Sequence, residues 1–241
     1  MLTVDYRRLD LKPGSWVLDA GCGGGRHLSE AFRRNGVHVV GIDMNRADVI
    51  KTNNTLKAMR HEGQDGGGIS CVSVSDITRL PFADQSFDCV ICSEVLEHIP
   101  AHEQAMREIV RVLKPGKSLV VSVPRYLPER ICWALSQAYH SEEGGHIRIY
   151  KKRELIRLLE NKGTTLVSTG LAHSLHSPYW WLKCLVGHKN DNALPVKLYH
   201  RFLVWDIMRK PWLTRTLDRI LNPFIAKSIV LYLRKGEEYG H

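Results

Sequence analysis

Residues 17–25 read VLDAGCGGG, and this stretch decides the fold. A short apolar run, Ser15–Ala20, ends in a cluster of glycines, and the helical pattern of His27–Asn35 follows. Glycines at such a junction let the chain turn tightly and let a ligand touch the main chain. The pattern is not the G-x-G-x-x-G of dinucleotide-binding loops, because Arg26 stands at its sixth position. Asp19 lies two residues ahead of the first glycine. A carboxylate there repels a pyrophosphate and suits a ligand with positive charge, such as an amino group or a sulfonium.

Working outward, strand-like and helix-like segments alternate. Val37–Ile42 is β-branched and ends at Asp43, and Ala47–Arg60 has helical spacing. Ile69–Val74, Phe87–Ser93 and Ser118–Val123 read as strands. His102–Leu113 reads as a helix stopped by Lys114-Pro115-Gly116. This alternation predicts β-α-β units, a parallel sheet, and a ligand at the carboxyl ends of the strands. Asp43 follows Gly21 by 22 residues, the spacing at which an acid accepts hydrogen bonds from both hydroxyls of an adenosine ribose. The plain alternative for Asp43 is a helix N-cap.

Four blocks, taken in order, resemble the class I S-adenosylmethionine-dependent methyltransferases, in their quinone-biosynthesis-like branch with a type 11 domain. They are VLDAGCGGG (17–25), VVGIDMN (39–45), SDITRLPFADQSFDCVICSEVLEHI (75–99) and LKPGKSLVVSVP (113–124). GHIRIYKKRELIRLLENKG (145–163) is a looser echo. The resemblance implies an α/β, doubly wound, Rossmann-like sheet of seven strands with the last antiparallel. It implies S-adenosyl-L-methionine as cofactor and methyl transfer to a small-molecule acceptor. Residue by residue, it implies that Asp19, Gly21 and Gly23 hold the methionine moiety. Asp43 matches the ribose acid, Met44 packs on the adenine, and Asp76 bonds the adenine amine with Ile77 beside it. Ser93 and Glu94 match the place where cofactor and acceptor meet.

A hydroxyl or acidic-carbon acceptor needs a proton removed, and histidine is the natural base near neutral pH. His98 and His146 are the candidates, the latter because glycines expose it and it resembles a recurrent histidine of related enzymes. The plain reading of His98 is a helix-end side chain bonded to backbone. Glu97 reads as a structural carboxylate. No metal-ligand spacing is visible: Cys89 and Cys92 spell C-x-x-C, but inside a strand pattern and with no second pair.

The chain of 241 residues carries 34 Lys+Arg against 25 Asp+Glu, a net charge of +9. Residues 1–125 contribute +1 and 126–241 the remaining +8, with five of the six tryptophans in the second part. The expected organisation is a cofactor-binding domain over 1–170 and 227–235, a short one-helix lid over 125–146, and a helical, basic, aromatic cap over 171–226. Thr164–Thr169 and Ser228–Leu233 read as the last two strands, around the cap. Within the cap, Leu194, Leu198, Phe202, Trp205 and Met208 share a helical face, and Leu213, Leu217, Ile220, Leu221 and Phe224 repeat the pattern. These stripes either bury themselves on the catalytic domain or also touch a bilayer or a greasy acceptor. Nucleic acid is not an expected partner, because the cations are interleaved with apolar residues. With no run near the roughly 18 apolar residues of a span, a charged opening in place of a leader, and scattered cysteines, a cytoplasmic chain is expected, peripheral to a membrane if the cap binds one. The acceptor is expected to be hydrophobic: quinone-like, isoprenoid or lipid-associated. A polar metabolite as acceptor and a non-catalytic cofactor-binding or membrane-surface protein are the competing readings.

Overall fold

The computed structural model describes residues 2–142 and 144–237, so Glu143 of the expected lid lies outside the described residues. The first two strands are each followed by a helix: β1 (Trp16–Ala20) and α1 (Arg26–Phe32), β2 (His38–Asp43) and α2 (Arg46–His61). β3 (Ser70–Val74), β4 (Phe87–Ser93), α3 (His102–Arg111) and β5 (Leu113–Pro124) complete this half. α4 (Tyr126–Leu135), α5 (Gln137–His140), α6 (Lys152–Glu160) and β6 (Thr164–Ala172) follow. Then come α7 (His176–Val186), α8 (Leu194–Arg209), α9 (Trp212–Ile225) and β7 (Ser228–Lys235).

The sheet has the order β3-β2-β1-β4-β5-β7-β6. β7 runs antiparallel to both β5 and β6, and the pairings among β1 to β5 are parallel. The expected seven-stranded doubly wound fold, with its last strand reversed and a helical insertion before it, is what the chain forms. Strand order reverses between β1 and β4, which places a crevice above their carboxyl ends.

Period-two alternation explains the two layers of core. In β1, Val17 packs with Leu28, Phe32 and Leu56 on one face, while Leu18 packs with Met106, Ile109 and Leu155 on the other. β4 divides likewise, sending Cys89 and Ile91 to the first face and Val90 and Cys92 to the second. Cys89 and Cys92 therefore point to opposite sides of the sheet, and the C-x-x-C pair cannot close on one metal ion. All six cysteines are free thiols, five of them buried.

Several expectations are corrected. The helix does end ahead of Lys114-Pro115-Gly116, but β5 begins earlier than Ser118 and includes that segment, with Leu113 already paired to Phe87. Lys114 and Lys117 hold this segment to Asp88, with nitrogen–oxygen distances of 2.9 and 3.4 Å. The lid carries two helices, because Ser136 adopts an extended backbone and its hydroxyl caps α5 by accepting the Tyr139 amide at 3.2 Å. The cap stripes do not bury themselves on the catalytic domain. α8 packs inward through Val196, Leu203 and Asp206, whereas Leu194, Leu198, Trp205 and Met208 face solvent.

Phe32 is fully buried under Arg60, whose guanidinium lies 5.2 Å from the ring centroid. Phe32→Ala is expected to cost about 3–5 kcal/mol of stability, read from urea unfolding with an unchanged m-value.

Candidate active site

The glycine loop owes its shape to backbone that few side chains allow. Gly21 has φ +81°, and a Cβ there would lie 2.4 Å from Val95. Gly23 has φ +47° with open space around it, so its backbone is accessible to a ligand. The end of β2 fixes the loop from the other side. Asp43 accepts the Gly23 amide through one carboxylate oxygen and the Asn45 amide through the other, each at 2.8 Å. Asn45, not Asp43, caps α2, accepting the Ala47 amide at 2.9 Å. The N-cap reading of Asp43 is thereby replaced.

A cavity of about 460 Å³ opens above the carboxyl ends of β1, β2 and β4. Asp19, Gly21, Gly23, Asp43 and Met44 line one part of it; Ile77, Ser93, Glu94 and His98 line the rest. Asp76 does not line it: its carboxylate is exposed and accepts the Thr78 amide at 2.8 Å, between Ser75 and Ile77, which do. Arg26 and His27, which the motif reading passed over, are also in the wall. They are the first two residues of α1, directly after the glycine cluster.

Asp19 is buried, and one of its carboxylate oxygens has no hydrogen-bond partner. Burial pushes its carboxyl up to about 7, against the opposing effects of Arg26 and the Leu28 amide. A buried acid with an unsatisfied oxygen in a cavity wall is matched by a cationic group. The S-adenosylmethionine that the resemblance implies fits on these grounds: an orphaned carboxylate for its amino group, an open glycine backbone beside it, and the Asp43 carboxylate across the loop.

Beyond the cavity floor, Ser122 donates to Glu94 at 2.9 Å, and Ser93 lies 2.8 Å from Ser122. Glu94 has φ +58°, a strained conformation held by this chain of hydroxyls and by its amide bond to Ser122. His98 bonds the Gly145 carbonyl through Nδ1 at 3.0 Å, and its Nε2 lies 4.0 Å from a Glu97 carboxylate oxygen. His146 does not line the cavity; its ring stands 4.9 Å from that of His98, edge to face. Its Nδ1 donates to Glu129 at 2.6 Å, and Tyr139 donates to the same oxygen at 3.0 Å. Burial raises the Glu129 carboxyl, but the His146 bond and Lys227 outweigh it and hold the group below the usual carboxylate range. Glu129 sits on α4, outside the quoted motifs, and sequence reasoning did not find it.

Glu97 is fully buried with no hydrogen bond to either oxygen, and burial together with Glu94 pushes its carboxyl well up. Glu97, His98 and His146 each offer a donor atom within 4.8 Å of the other two, a set of two imidazoles and one carboxylate able to hold a divalent cation.

An acid whose folded pKa lies above its unfolded value binds more protons folded than unfolded between those two values, so it costs stability as pH rises through that window. Asp19→Asn should therefore gain stability relative to wild type from about pH 4 to about pH 8, read as the difference between paired urea curves.

The chain is 40% identical over 124 residues to the ubiquinone biosynthesis O-methyltransferase of Hahella chejuensis, covering 51% of this chain and 49% of that protein. It is 31% identical over 142 residues to 24-methylenesterol C-methyltransferase 2 of Arabidopsis thaliana, covering 58% and 35%. The chain thus spans about half or less of the length of these curated relatives. Among solved structures, geranyl diphosphate methyltransferase in complex with SAM superposes with a TM-score of 0.61 at 16% identity, covering 95% of this chain and 82% of that one. The [4+2]-cyclase SpnF superposes with a TM-score of 0.62 at 21% identity, covering 96% and 78%. At such identities the superpositions establish the fold and leave the reaction to the site. The family described as a methyltransferase domain matches residues 4–169. By that match the chain belongs to the methyltransferase-domain family.

Proposed function

We propose that the protein transfers a methyl group from S-adenosyl-L-methionine to a small hydrophobic acceptor of quinone-like, isoprenoid or other lipid-associated character. The observation that carries the reading is the pairing of two carboxylates on one glycine loop: Asp19, buried with an unsatisfied oxygen, and Asp43, bound to the loop amide. Relatives named for ubiquinone biosynthesis and for sterol methylation support the acceptor class.

S-adenosylmethionine, when bound, supplies a methyl carried on a positively charged sulfur. Asp19 would pair with its amino group, and Gly21 and Gly23 would let it touch the backbone. Asp43 already accepts two amides, and a carboxylate has about four lone-pair sites, so it retains acceptor capacity for ribose hydroxyls. Met44 and Ile77 would flank the adenine and Asp76 would reach its amine from the edge.

The acceptor has its own space. A second cavity of about 330 Å³ shares Arg26 and Glu94 with the first and is closed by His173, His176 and Ile207 of the insertion. Burial keeps both histidines neutral, holding His176 down to about 4 and His173 well below its ordinary value. Glu94, next to Ser93 in the wall of the first cavity, stands where the two cavities meet. Holding the acceptor against the methyl supplies several kcal/mol of the barrier by orientation alone. His98 then takes the acceptor's proton at Nε2. His146, oriented by Glu129, stands behind it as a positioning residue.

A second reading of the same cluster follows from the two oxygens of Glu97, neither of which has a hydrogen bond. A divalent cation held by Glu97, His98 and His146 would orient a hydroxyl acceptor and ease its deprotonation.

Incubation with radiolabelled cofactor and either a lipid or a polar extract should label the lipid fraction; label only in the polar fraction would remove the hydrophobic acceptor. With that acceptor, His98→Ala should lower turnover about 10²- to 10⁴-fold with cofactor affinity unchanged. His146→Ala should cost less and displace the pH profile. Under the second reading, a chelator abolishes transfer and added divalent metal restores it; unchanged turnover after chelation leaves His98 as the base.

A further inference from the structure

α9 exposes an apolar stripe. Leu213, Leu217, Ile220 and Phe224 recur at helical spacing on one face, and each is exposed. Where α8 turns into α9, Met208 is 76% exposed and Trp212 is 78% exposed. An amphipathic helix with its apolar face in water is built to meet something outside the chain.

Charge selects the partner. Residues 194–225 hold six Lys and Arg but two acids, Asp206 and Asp218. Both acids are spent inside the protein. Asp206 is buried and paired with Arg215. Asp218 accepts the Ser174 hydroxyl at 2.7 Å and the Asn222 side-chain amide at 3.2 Å. Lys197, Arg201, Arg209, Lys210 and Arg219 remain exposed. The outside of these helices is therefore apolar and cationic. A second copy of the chain would bring like charges together on this face, whereas a bilayer with anionic headgroups accepts both components. On such a bilayer the apolar stripe would enter the acyl boundary, Trp212 would sit at headgroup level, and the cations would meet phosphate. Among the described residues no helix is long and apolar enough to cross a membrane, so this one lies in the interface plane.

The cavities tie this corner to the site. The acceptor cavity shares Arg26 and Ile207 with a third cavity, of about 550 Å³, which reaches Lys210 and Arg215. A route of cavities thus runs from Glu94 to the α8–α9 turn.

We propose that the α8–α9 corner docks on an anionic bilayer and that the acceptor passes from it along these cavities to Glu94. The entry route rests on the lipid-associated acceptor; the docking does not.

The test is flotation of the full chain with vesicles of phosphatidylcholine alone and of phosphatidylcholine with about one-third phosphatidylglycerol. Wild type should float at least about tenfold more with the anionic vesicles, and added salt should weaken this. Trp212→Ala with Phe224→Ala, and separately Lys210→Glu with Arg219→Glu, should each lose most of the binding. Their melting temperatures and calorimetric heats with S-adenosylhomocysteine should match wild type. Equal binding to both vesicle types, or variants that float as wild type does, would overturn the proposal. So would a concentration-dependent dimer that Trp212→Ala dissociates, or tighter binding to duplex DNA than to vesicles. Labelled methyl transfer into detergent-dispersed lipid extract separates the two readings. Transfer without vesicle binding refutes docking and leaves the enzyme; vesicle binding without transfer refutes the acceptor reading and leaves docking.

Discussion

The carboxylate of Asp43 joins two segments that the sheet alone would leave independent. It ends β2, and its two oxygens take the amides of Gly23 and Asn45. The first bond fixes the loop after β1; the second fixes the chain as it enters α2. Thr52 on α2 then donates to the Gly23 carbonyl at 2.7 Å, so the peptide groups on either side of Gly23 are both held. Buried backbone groups must find partners, and here a side chain and a neighbouring helix supply them. The result is an open glycine backbone in a fixed position beside Asp19. Everything placed in the cavity depends on that loop staying where it is.

The first half of the chain was legible because its signals are local. β4 spans the residues its apolar pattern marks, and β1, β2 and β3 differ by one residue at their ends. Asp19 and Asp43 stand at strand termini, where a parallel sheet must place its ligand, and both reach the cavity. Legibility fails where the deciding contact is distant in sequence. Lys114-Pro115-Gly116 has the composition of a turn, yet Asp88 on the neighbouring strand recruits both lysines and draws the segment into β5. Glu129 could not be tied to His146 without knowing that α4 folds back over the site. The helices of the cap were legible, but the direction their stripes face was not, for a different reason. Periodicity identifies which residues share a face but carries no information about which way that face turns.

Asp19 and Glu97 show how burial gives the same residue type two kinds of role. Both are buried acids with unsatisfied oxygens, and burial raises both. Asp19 has Arg26 nearby and faces a cavity, so a cationic ligand can complete it. Glu97 does not line that cavity and has Glu94 as its nearest electrostatic opponent, which favours the neutral form. The Glu97 carboxylate lies 4.0 Å from Nε2 of His98, so it is completed either by its own proton or by positive charge on the neighbouring cluster.

The insertion is placed where it disturbs the sheet least. Ala172 at the end of β6 pairs directly with Ser228 at the start of β7, so residues 173–227 leave and re-enter the sheet at one point. Topologically this is an antiparallel hairpin whose loop has grown into three helices. Loop-closure entropy rises only logarithmically with length, so such growth costs the fold little once the added helices pack. The root of that loop lies against the acceptor cavity, with His173 and Ser228 in its wall. Arg125 at the end of β5 anchors the far end, donating to the carbonyls of Asn222 and Pro223 at 3.2 and 2.9 Å. On the proposed reading, an element attached at this position would act on the acceptor side of the reaction. That division explains why the motifs reading the cofactor lie almost wholly within residues 17–99, while the cap, which decides what else the protein meets, shares none of them.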